Sequence, residues 1–213
     1  MNYDALVAMF SKQGYFDLPT VAQLSNERRH TLRVQLHRWC NGGKLIPLRR
    51  GMYAFPDRYR PGVINPSELA NHLYTPSYIS RHWALGYFGM IPEAVVTYTS
   101  VTSRVPRTFT NAFGTFRYQH VKQSAFFGYN ATRIGESRVL LAEPEKALLD
   151  FWHLERGTWN EPRMREMRFQ NTDTVDVTKL RSYAERFESP RLVACVNLWQ
   201  EVMRMETEGT VSL

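Results

Sequence analysis

Between Glu27 and Phe55 the sequence places, in immediate succession, an amphipathic helix, a double glycine and two short β-rich runs hinged on Arg49-Arg50-Gly51. Few folds accept that order. The helix is expected over about 27–41, because Leu32, Leu36, Trp39 and Cys40 recur at i, i+4, i+7 and i+8 and form one apolar stripe. Gly42-Gly43 then supplies a stop. The opposite face carries Arg28, Thr31, Gln35 and Arg38 at i, i+3, i+7 and i+10, with Arg29 beside them. Arginine offers two donors to a guanine edge, glutamine pairs with adenine, and both reach phosphates. Lys44 to Leu48 and Met52 to Phe55 read as paired strands, with Gly51 supplying the positive φ that a tight tip needs.

Two further helices are expected upstream. The first spans Asn2 to Gln13, turns Leu6, Met9 and Phe10 inward, and ends at Gly14. The second opens at Pro19-Thr20, turns Val21, Ala22 and Leu24 inward, and stops near Ser25-Asn26. A basic face on one helix is most often a solvated surface. Three helices followed by a hairpin with a basic tip form an ordered set, and over residues 1–60 that set predicts a winged helix-turn-helix that binds double-stranded DNA. Such domains read bases with the first turns of the third helix. Arg28, Arg29, Thr31 and Gln35 are therefore the expected major-groove readers. Arg38, Lys44, Arg49 and Arg50 are expected at phosphates or the minor groove, and Thr20 joins the DNA-contacting set from the start of the second helix.

Charge follows the same division. The chain of 213 residues carries a net charge of +7, and residues 1–60 hold ten Lys and Arg against four Asp and Glu, a net of +6. A folded segment with concentrated positive charge points to a polyanionic partner. The length suits one large domain or two small ones, and 43% hydrophobic residues is a globular composition. No apolar run reaches the ~18 residues that read as a membrane span, and no secretory leader pattern stands at the start. Cys40 and Cys195 are too few for a disulfide framework or a zinc site. A cytoplasmic protein without metal or cofactor is the expectation.

Residues 61–213 form the second expected domain. Helices are predicted from Pro66-Ser67 to about Tyr74, after Ser80 with Trp83, Ala84, Tyr87 and Phe88, and from Pro144 with Ala147, Leu148, Phe151 and Leu154 inward. Two more follow, Val177 to Phe187 and Pro190 to Glu206, forming a helical tail from about 160. Strands are expected in the β-rich Ala94 to Ser103, in Thr108-Phe109 and Phe116 to Tyr118 around a turn, and in Arg138 to Leu141. The predicted class is α+β: a winged helix-turn-helix, then a mixed α+β domain with a helical C-terminal tail.

Catalytic signatures are missing. The sequence has no P-loop, no Gly-x-Ser-x-Gly and no His-Glu-x-x-His, and His30, His37, His72, His82, His120 and His153 show no ligand spacing. Glu143-Pro144-Glu145 reads as helix capping rather than an acid–base pair, and Lys146 with Asp150 as a surface ion pair at i, i+4. Phe126, Phe127 and Tyr129 are expected in the core. Arg104 and Arg107 flank Pro106 and are candidates to extend a phosphate-binding surface. No enzyme is expected.

Five ordered segments carry a family resemblance: YISRHWALGYFGMIPEAV (78–95), TYTSVTSRVPRTF (97–109), AFGTFRYQHV (112–121), AFFGY (125–129) and EPEKALLDFWHL (143–154). Together with the N-terminal module they resemble the AbiEi family of antitoxins over residues 1–155. The resemblance implies an antitoxin of a type IV toxin–antitoxin system, of the kind that serves abortive infection in phage defence. Its N-terminal domain would repress its own promoter, whose operator would carry inverted repeats. Its C-terminal domain would counter a nucleotidyltransferase-like toxin, directly or indirectly. Two other readings stay open: a winged-helix regulator with a ligand-sensing C-terminal domain, and a nuclease or modifying enzyme that uses the module to find DNA.

Overall fold

The computed structural model describes residues 1–211 and shows a mixed α+β protein, with nine α-helices and two sheets among those residues. The chain begins with α1 (Tyr3–Phe10), β1 (Tyr15–Asp17), α2 (Leu18–Leu24), α3 (Arg29–Asn41), β2 (Ile46–Arg49) and β3 (Met52–Ala54). Asn2 caps α1 through a hydrogen bond from Ala5 N, and Asp17 caps α2 through one from Thr20 N at 2.8 Å. The three strands form an antiparallel sheet in the order β1-β3-β2.

This small sheet serves two cores. Phe16, Leu18 and Phe55 pack with Tyr3, Leu6, Phe10, Val21, Leu32, Leu36 and Leu45 from the helical side. Tyr15, Leu48, Met52 and Ala54 join the larger core instead, beside Ile64, Leu69 and Leu73. Alternation along a strand sends neighbours to opposite faces, which is why adjacent residues divide between the two clusters. Each fully buried large apolar side chain contributes ~1.5–3 kcal/mol, so the hairpin is fixed from both sides. Asn111 adds a hydrogen bond from Nδ2 to Leu48 O at 3.1 Å.

The second region contains α4 (Pro66–Leu73), β4 (Ser77–Ile79), α5 (Arg81–Tyr87), β5 (Tyr98–Thr102), β6 (Arg107–Asn111), β7 (Gly114–His120), β8 (Tyr129–Ile134), β9 (Ser137–Ala142) and α6 (Pro144–Leu154). Then come α7 (Glu161–Glu166), α8 (Val177–Arg186) and α9 (Pro190–Val211). Its six-stranded sheet runs β6-β7-β5-β4-β9-β8, parallel at β5–β7 and β4–β9 and antiparallel elsewhere. The central strands β4 and β5 are buried almost throughout.

Three strands and one helix escaped the sequence reading. β1 and β4 have three residues each, too short to show a period, and β8 alternates weakly because it lies at a sheet edge. The helix α7 has six residues. In the β-rich stretch only Tyr98 onward pairs, while residues 94–97 stay outside the sheet. Met9 and Leu24, expected inward, are 49% and 59% exposed, because α1 and α2 bury narrower stripes than their apolar content suggests.

The largest correction concerns Lys146 and Asp150, which form an ion pair with both side chains fully buried rather than a surface pair. Asp150 Oδ2 also accepts from Ser80 Oγ at 2.7 Å and from Tyr78 OH at 3.0 Å. The Lys146 ammonium sits among the rings of Tyr78, Phe127 and Phe187, at 5.4, 5.2 and 4.6 Å from their centroids. Burial pushes its pKa down, and the Asp150 carboxylate opposes that shift. Gly128, at φ +70°, fits beneath this group, where a Cβ would stand 2.9 Å from Tyr183 and 3.1 Å from Lys146.

Candidate nucleic-acid interface

The helix α3 begins at Arg29, with Arg28 as its N-cap in extended conformation and no side-chain hydrogen bond to the first turn. Among the described residues the first turn therefore has no N-cap side-chain acceptor, and Arg28, Arg29, His30 and Thr31 at this positive end of the helix are exposed. Leu32 and Leu36 are fully buried against α1 and α2, and this fixes the rotation of the helix. Arg29 and Arg33, one turn apart, then fall on the flank that faces the β2–β3 hairpin.

The tip of that hairpin holds Arg49, Arg50 and Gly51. Gly51 adopts φ +76°, a left-handed conformation that non-glycine residues rarely enter, and its carbonyl accepts from Leu18 N at 2.8 Å. Arg49 Nη1 donates to Arg50 O at 3.2 Å, while its Nε is buried without a partner. Between α3 and the tip lies a recess of about 340 Å³ lined by Arg29, Arg33, Arg49, Arg50, Asp17 and Tyr53, among others. Asp17 is the one carboxylate in this lining among the described residues, and that group already caps α2. None of the four arginines forms an ion pair among the described residues. A cluster of unpaired guanidiniums can neutralise phosphates and donate in a fork geometry to a base edge.

The residues expected to contact DNA separate into groups. Arg29, Arg49 and Arg50 converge on the recess. Arg28, Thr31 and Arg38 are exposed along α3 and its cap, outside that lining. Gln35 is turned away: it is half-buried, its Nε2 donates to Met1 O at 2.6 Å, and its Oε1 is buried without a partner. Lys44 lies past the far end of α3 with its ammonium 5.1 Å from the Tyr3 ring centroid, and its carbonyl accepts from Tyr3 OH at 2.7 Å. Thr20 lines a separate recess of about 110 Å³ with Gln13 and His72.

Sequence reasoning missed Arg33. The signal was the pair Arg29 and Arg33 at i, i+4, read in phase with Leu32 and Leu36 rather than with the polar face opposite them. Among the described residues no group of three or more His, Cys, Asp or Glu is placed to hold a metal ion, and both cysteines are free. No described helix is long and apolar enough to cross a membrane. No family model matches the chain, and no curated protein matches it either.

Proposed function

We propose that residues 1–60 form a winged helix-turn-helix that binds double-stranded DNA, and that the protein is a cytoplasmic transcriptional repressor of its own operon. The observation that carries this reading is the recess in which Arg29 and Arg33 of α3 face Arg49 and Arg50 of the hairpin tip without a free carboxylate among them. The placement has a physical logic. α3 enters the major groove by its N-terminal half, the hairpin rests on the adjacent backbone, and the unpaired charge meets a line of phosphates.

The antitoxin half of the proposal rests on the resemblance of residues 78–154 to AbiEi antitoxins. Those segments supply β5, α5, β7, α6 and most of β4, and three of them, 78–95, 125–129 and 143–154, meet at the buried Lys146–Asp150 pair through Tyr78, Ser80 and Phe127. They therefore speak for a shared core more than for a shared surface. Countering a nucleotidyltransferase-like toxin is the role this second region would have.

The test of DNA binding is a salt titration of duplex affinity. The double variant Arg49→Ala, Arg50→Ala is expected to bind more weakly on every sequence, with a salt slope lower by about 2, one unit for each phosphate no longer neutralised. An unchanged slope removes the hairpin from the interface, and no duplex binding by the wild-type chain removes the proposal.

A further inference from the structure

Arg49 and Arg50 line a second recess, of about 380 Å³, on the side away from α3. Its far wall is Tyr74, Arg104, Arg107 and Phe109, and no described Asp or Glu contributes to it. Of the connection between β5 and β6, Ser103 to Pro106, Arg104 lines this recess, and all four residues line a neighbouring one with His120. This short turn is pinned from inside. Tyr74 OH donates to Val105 O at 3.0 Å, Arg104 N donates to Thr102 Oγ1 at 3.2 Å, and His120 Nδ1 lies 3.1 Å from Arg104 O. The Arg104 guanidinium stacks 4.6 Å from the Tyr74 ring centroid and donates from Nη1 to Thr75 O at 3.0 Å.

With its backbone held, the turn presents side chains outward. Val105 is 62% exposed, Pro106 is exposed, and an exposed arginine stands on either side. Neither Arg104 nor Arg107 has an acidic partner among the described residues. An apolar tip between two arginines is the chemistry that fits a minor groove: guanidiniums take phosphates, and Val and Pro lie against sugar edges. The hairpin tip joins this recess to the one under α3, so unpaired positive charge continues from the first region onto the second. Repulsion between like charges so close together is relieved by a polyanion that spans both.

We propose that the Arg104-Val105-Pro106-Arg107 turn is a second, preorganised DNA contact that grips the duplex flanking the segment faced by α3. It rests on the DNA-binding reading and lengthens its footprint. A turn already fixed in its bound shape has little ordering entropy to lose on association.

The experiment uses the full chain and random-sequence duplexes of about 40 and about 12 base pairs, the shorter being about one helical turn. On the long duplex, Arg104→Ala with Arg107→Ala is expected to reduce the salt slope by about 2. The drop in affinity between about 50 and about 200 mM salt then shrinks roughly tenfold. On the short duplex the same variant is expected to bind like the wild type. Arg107→Ala alone, whose side chain makes no hydrogen bond or ion pair among the described residues, is expected to lower the slope by about 1. Arg104→Lys with Arg107→Lys should restore the slope, which separates the role of charge from that of the Arg104 ring stacking. If slope and length dependence match the wild type in the alanine variants, the turn is no DNA contact, and the α3 reading still stands. If the wild type binds neither duplex, both readings fall together.

Discussion

Charged side chains are used in opposite ways by the two regions of this molecule. Around α3 and the hairpin, Arg29, Arg33, Arg49 and Arg50 have no carboxylate ion-pair partner among the described residues. In the second region, outside the turn that holds Arg104 and Arg107, the charges nearest the core are paired: Lys146 with Asp150, Arg81 with Glu155, and Lys179 with Glu143 and Glu145. Charge that holds a fold together must be matched inside the chain, because an unmatched buried ion costs several kcal/mol (about 3–5 when one partner is removed). Charge kept for a partner outside must stay unmatched. Replacing a residue of the first kind should change stability, and replacing one of the second kind should change binding alone.

The sharpest way to break that contrast is Lys146→Ala. The change leaves Asp150 fully buried with only the hydroxyls of Tyr78 and Ser80, and a loss of about 3–5 kcal/mol in unfolding free energy is expected. Urea unfolding followed by circular dichroism measures it. Lys146→Met with Asp150→Leu should recover part of the loss, since both charges and their desolvation are removed together, at the cost of two hydroxyls left without an acceptor. A loss under about 1 kcal/mol for the single variant would mean that the pair is not what matches this core.

The same contrast explains what was legible in the sequence. The succession of three helices and a hairpin was readable because each element announces its own limits, as Gly14, Gly42-Gly43 and Gly51 do. The cluster at Arg49-Arg50 was visible for the same reason. Arg33 was not, because the choice of helix face depends on how Leu32 and Leu36 sit against α1 and α2, a tertiary fact. Gln35 had the right residue type but spends its amide on the Met1 carbonyl. Lys146 and Asp150 at i, i+4 look identical on a surface and in a core. Only the rings of Tyr78, Phe127 and Phe187, brought from distant segments, decide which it is.

A smaller effect, in the other direction, is expected from Arg29→Ala with Arg33→Ala. Neither guanidinium forms an ion pair among the described residues, so unfolding free energy should stay within about 0.5 kcal/mol of the wild type. Duplex affinity should fall by about 1.4–3 kcal/mol, roughly tenfold to more than a hundredfold, the range expected when phosphate or base-edge hydrogen bonds are removed. Anisotropy titrations on duplex DNA beside a urea melt of the same sample test both halves. A variant that melts early and binds normally would reverse the assignment of charge to the two regions.

The mildest effect concerns Glu143, where matched charge is only partly buried. Its Oε2 accepts from Tyr183 OH at 2.7 Å, and its Oε1 accepts from Asn130 Nδ2 at 2.8 Å and lies 3.2 Å from Lys179 Nζ, tying α8 to the start of α6. Burial alone would raise the carboxyl pKa, but the hydrogen bonds from Tyr183 and Lys179 outweigh it and hold the group below 4.5. A carboxyl whose pKa is depressed by folding contributes stability that is present above its unfolded pKa and is lost as pH falls through the folded value. Glu143→Gln should therefore lower stability at neutral pH by no more than about 1 kcal/mol, because Lys179 is one-third exposed and solvent screens the pair. The difference from wild type should narrow between neutral pH and an acid pH below the lowered pKa of the native carboxyl, where that carboxyl is also protonated. Thermal melts at the two pH values measure the gap. If it persists unchanged in acid, the clamp works through hydrogen-bond geometry rather than charge, and the second region depends less on matched ions than its buried pair suggests.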